Sequence, residues 1–93
     1  MVVGILRLDL HLHGVHSLKE KRGVVRRLLA RCRNRYPVSA AEVGHQDLWQ
    51  RTLIGVALVS SNEAVIVPIL ERIEEDLHGE AEVIDVEVEY IHI

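Results

Sequence analysis

VVGILRLDLHLH (2–13) is the stretch that decides the fold. Leu6, Leu8, Leu10 and Leu12 fall on one side of an extended chain, and Arg7, Asp9, His11 and His13 on the other. That period of two describes a strand with one face in a core and one towards water. Gly14 ends it. Ser17 then opens a helix, with Glu20 three positions on as a capping box. Leu18, Val25, Leu28, Leu29, Cys32 and Tyr36 form its apolar stripe, and Pro37 stops it.

Two more strands follow, 38–44 and 51–59, around the turn material GHQDLWQ (44–50). TLIGVALV (52–59) is apolar enough for a central strand. Ser60, Ser61 and Asn62 offer caps for a second helix, whose stripe is Ile66, Ile69, Leu70, Ile73 and Leu77 and which closes at His78-Gly79. Pro68 predicts a late start or a kink. Residues 81–92 read as a last strand, with Val86, Val88 and Tyr90 inward and Asp85, Glu87 and Glu89 outward. The order βαββαβ predicts an α+β, ferredoxin-like sandwich. Its four-stranded antiparallel sheet has order 4-1-3-2, with both helices on one face. Residues 1–93 read as one domain.

Composition narrows the rest. A hydrophobic fraction of 48% with 27% charged residues excludes a disordered chain. No apolar run approaches the roughly 20 residues of a membrane span, so a cytoplasmic protein is expected. Cys32 is the only cysteine, which excludes an internal disulfide and a Cys-rich zinc site. The net charge of −3 hides a split: residues 1–46 hold nine Lys/Arg against three Asp/Glu, and residues 47–93 hold two against eleven.

Eight of the eleven Lys/Arg lie between Lys19 and Arg35. At about 100° per residue, Lys19, Arg22, Arg26 and Arg33 share one flank of the helix. Arg27, Arg31 and Arg35 lie across the stripe. Such a ridge suits nucleic-acid phosphates, and the acidic second helix (Glu71, Glu74, Glu75, Asp76) is the competing partner. Base stacking on the open sheet face is not expected, because Tyr36, Trp49 and Tyr90 are the only aromatic residues besides histidine and none falls there on the central strands. His11 and His13 with Asp9 beside them read as surface residues, and neither a metal nor a cofactor is expected. An Asp9–His11 acid–base pair is the only catalytic drawing available. With no Gly-rich phosphate loop, nucleophile elbow or HExxH motif, the chain does not read as an enzyme. Cys32, in the apolar stripe, reads as a small buried hydrophobe.

SLKEKR (17–22), together with VSAAEVGHQDLWQR (38–51) running into IGVALV (54–59), resembles the YlxP-like family of small bacterial proteins. The resemblance covers nearly the whole chain. It departs at Tyr36-Pro37, where the family often has Phe-Asn, and at Gly23 inside the helix. It implies a ferredoxin-like fold. It also implies genes commonly placed beside those for translation initiation and ribosome maturation, and no established site residues. Capping explains Ser17 and Glu20, which leaves Lys19, Lys21, Arg22, Arg26 and Arg33 as expected contacts to RNA or a ribosomal particle. Glu42, His45, Gln46, Asp47, Trp49 and Arg51 are expected to form a second surface around the hairpin. The alternative reading is a homo-oligomeric module, a dimer above all, that binds a small ligand or a protein there.

Overall fold

A computed structural model describes all of residues 1–93. The elements are β1 (Val2–His11), α1 (Leu18–Arg35), β2 (Ser39–Gly44), β3 (Arg51–Ser60), α2 (Glu63–His78) and β4 (Glu82–His92). They form one sheet of order β2-β3-β1-β4 with every pairing antiparallel. This is the expected 4-1-3-2 order read from the other edge, and the fold is ferredoxin-like.

Alternation in the central strands builds the core. Val2, Leu6, Leu8 and Leu10 of β1 and Ile54, Val56 and Leu58 of β3 are buried under the two helices. They meet Val25, Leu28, Leu29 and Cys32 of α1 and Ile66, Leu70, Ile73 and Leu77 of α2. Gly4 is where α2 comes closest, since a Cβ there would overlap Ile66 Cγ2. β1 is two residues shorter than expected. Leu12 is still buried and donates its N–H to Gln50 O at 2.8 Å, and the chain then turns through Gly14 at φ +76°.

Pro68 neither delays nor divides α2, which runs unbroken from Glu63. Pro68 and Ala64 both lie on the exposed side, so the carbonyl left without a donor can bond to water. Val88 does lie on the inner side, opposite Leu6, yet is 47% exposed because β4 is an edge strand. On the uncovered face Arg7 sits between Glu87 and Glu89, 3.6 Å from each. No helix is long and apolar enough to cross a membrane.

Candidate nucleic-acid interface

Ser17 caps α1 as expected, its Oγ accepting from Glu20 N at 3.1 Å. Glu20 reaches back to His16 N, one residue beyond the usual partner, at 2.9 Å. The helix then presents its cations in three environments.

The first holds one residue, and it corrects an expectation. Lys21 does not face solvent: it is 1% exposed. Its Nζ donates to His45 O and Gln46 O and lies 3.0 Å from Glu42 Oε2. Glu42 also accepts from Thr52 Oγ1 at 2.6 Å, and Thr52 is fully buried. Lys21 is therefore a tether from α1 to the β2–β3 hairpin and has no surface to offer a phosphate. An ammonium taken from water in this way needs the carboxylate and both carbonyls to offset its desolvation.

The second group lies at the C-terminal end and is largely committed within the chain. Arg31 pairs with Glu80, and Arg35 lies 3.3 Å from Asp76, which also accepts from Tyr36 Oη. Arg33 donates to Ala40 O at 2.5 Å and is thereby turned towards β2. The acidic second helix thus competes for the basic ridge only at this end.

The third group is Lys19, Arg22, Arg26 and Arg27, all exposed and none within 4.0 Å of a carboxylate. A shallow groove lined by His13, Lys19, Glu20, Gly23, Val24 and Arg27 runs along this face, with Glu20 turned back to His16 N. Gly23 lacks the side chain that would fill it, its nearest neighbour being Arg27 Nη1 at 3.5 Å from a Cβ position. Arg27 joins Lys19, Arg22 and Arg26 on the outward side.

The hairpin residues separate in the same way. Glu42 serves Lys21. Arg51 grips Asp9 through Nη2 at 2.7 Å and Nε at 3.2 Å, with His45 Nε2 3.5 Å from the same carboxylate. The hydrogen bond from Arg51 holds the Asp9 carboxyl below the usual carboxylate range; burial pulls the other way, and the Arg51 and His45 charges add to the lowering. Asp9 is therefore a fixed anion facing Arg51, while His11 faces His13, and the structure does not join them as an acid–base pair. His45 adopts φ +57°, which turns the chain so that its carbonyl points at Lys21. Gln46, Asp47, Leu48 and Trp49 are left exposed, Trp49 at 52% and Leu48 at 48%. Cys32 is buried, and burial pushes its thiol up, reinforced by Asp76 and opposed by Arg33; it stays protonated.

Residues 3–89 match a protein family described as Protein of unknown function (DUF503). The chain belongs to the DUF503 family. It is 40% identical over 72 residues to the uncharacterized protein YlxP of Bacillus subtilis (strain 168), covering 77% of this chain and 78% of that one. Among solved structures it is similar to a de novo designed protein, Foldit4, at 16% identity and a TM-score of 0.58, covering 99% of this chain and 97% of that one. It is also similar to a putative chlorite dismutase at 11% identity and a TM-score of 0.54, covering 96% of this chain and 43% of that one. At these identities the likeness is one of fold alone. In this DUF503 chain the two stretches that carry the family resemblance meet in space: Lys21 of SLKEKR is bound by Glu42, His45 and Gln46 of AEVGHQDLWQR. Part of each motif is thus explained by one buried contact.

Proposed function

We propose that the protein is a non-enzymatic accessory factor that contacts the phosphate backbone of RNA, alone or within a ribosomal particle, through the outward face of α1. One observation carries the reading. Lys19, Arg22, Arg26 and Arg27 are exposed without a carboxylate partner, although the chain as a whole is acidic. Cations left unpaired on a rigid helix are placed to release counterions from a polyanion, and phosphate contacts position a complex without reading its sequence.

The test is co-sedimentation with ribosomal particles, and gel-shift titration with single-stranded RNA, at a series of salt concentrations. The wild-type protein should bind at low salt and weaken steeply as salt rises. Arg22→Glu/Arg26→Glu/Arg27→Glu should abolish binding at low salt. Removing one contact, as in Arg26→Ala, should reduce the log–log salt slope by about 0.7. Undiminished binding by the triple variant, or none by the wild type at low salt, defeats the proposal.

A second reading rests on the exposed Leu48 and Trp49 at the hairpin. Two large apolar side chains side by side suit a second copy of the chain or a protein partner. A mass that grows with concentration and returns to the monomer value in Trp49→Ala would favour it. A monomeric wild type at high concentration counts against self-association.

A further inference from the structure

We infer that His11, His13 and Glu82 form a binding site for a divalent transition metal of the zinc type. The site arises from an irregularity in the sheet. β1 and β4 pair with Asp9 opposite Asp85, and a regular ladder would then set His11 opposite Val83. The register shifts by one residue between Asp9 and Leu10, so Leu10 meets Val83 and His11 meets Glu82. A bulge of this kind re-aims side chains and is often found beside functional sites. Here it exchanges an apolar neighbour for a carboxylate. Leu12 turns into the core, and His13 returns to the side of His11.

The resulting donor set has metal-site dimensions. His11 Nδ1 and His13 Nε2 are 3.2 Å apart, and His13 Nε2 is 3.3 Å from Glu82 Oε1. One ligand atom from each residue lies within 4.8 Å of the others. With metal–ligand bonds of about 2.0–2.1 Å, the edges of a tetrahedron are about 3.3 Å, so two of the three edges already match. The imidazole rings stand edge to face at 67°, with centroids 4.2 Å apart. Two neutral imidazoles and one carboxylate are the donors that borderline cations prefer. His13 and Glu82 are exposed, so an ion can enter and the fourth position faces solvent. Asp9, the acid beside the two histidines in the sequence, is taken by Arg51 and is not a ligand.

The experiment is calorimetric titration of the untagged full chain with Zn2+, in parallel with the visible spectrum of bound Co2+. Six histidines make a control necessary, and His78→Ala with His92→Ala supplies it. The wild type and this control should each bind one equivalent of Zn2+ and give the strong visible bands of tetrahedral Co2+. His11→Ala, His13→Ala and Glu82→Gln should each weaken binding by more than the roughly 10–100-fold typical of losing a residue that only supports a ligand. These side chains are outside the core, so circular dichroism should be unchanged in all three. Stoichiometric Zn2+ binding that survives His11→Ala/His13→Ala, or a wild type that shows no saturable binding, overturns the inference.

Discussion

Lys21 and Arg22 are adjacent on α1 and live in opposite surroundings. The inward flank of the helix holds one cation, sealed against Glu42 and two carbonyls of the hairpin. The outward face holds Lys19, Arg22, Arg26 and Arg27, none of them in an ion pair, although Glu20 shares the groove with Lys19 and Arg27. Both regions belong to one basic run, yet a rotation of about 100° turns a tether into a free charge. Buried charge is coupled to the stability of the fold and exposed charge is not, so the two regions should respond to substitution in opposite ways.

The largest effect should come from Lys21→Met. The substitution keeps the apolar stem and removes the ammonium, leaving the Glu42 carboxylate and the His45 and Gln46 carbonyls without their donor. We expect a loss of about 3 kcal/mol, which for a chain of this size is roughly 15 °C in Tm. Arg35→Ala, which breaks an exposed pair with an Asp76 that retains Tyr36, should cost less than about 0.5 kcal/mol. Thermal unfolding of both variants measures the contrast. Equal losses would mean that burial is not what separates the two cations.

The Asp9–Arg51 clamp should show a middle effect and a pH signature. Asp9 is lowered in the folded state, so the ionised form is the one the fold stabilises. Its contribution is complete above the unfolded carboxylate value and fades as pH falls through the lower folded value. Asp9→Asn should therefore be less stable than wild type by at most about 1 kcal/mol near neutrality. The difference should close under acid. A gap that stays constant from neutral pH down through that window would remove the carboxylate as its source.

Element order and strand faces were legible because they depend on local periodicity. Leu6, Leu8 and Leu10 alternate in sequence as they do in the sheet, and Ser17 caps what it was expected to cap. The burial of Lys21 was not legible, because its three partners lie more than twenty positions away and reach it only once the hairpin folds under α1. Period-two reading likewise passes over the bulge that sets His11 against Glu82, since one unpaired residue in β4 changes the register and leaves the composition of the strand untouched. The late start that Pro68 allowed for α2 does not occur, for a related reason: the cost of the proline depends on whether the orphaned carbonyl faces water, and that is decided by which side of α2 the core occupies.

A small effect of opposite sign should come from Gly23, and it cuts between stability and binding on the outward face. Glycine in a helix interior costs about 0.5–1 kcal/mol relative to alanine. A Cβ at Gly23 meets only Arg27 Nη1, at an ordinary 3.5 Å. Gly23→Ala should therefore raise stability by about that amount, against the losses expected from Lys21→Met and Asp9→Asn. The same methyl group fills part of the groove between Lys19 and Arg27. If phosphates approach the helix backbone there, the more stable variant should bind RNA more weakly at a given salt concentration, with an unaltered salt slope because no charge has been removed. Unchanged affinity would mean that the long side chains alone reach the phosphates and that the groove takes no part in holding them.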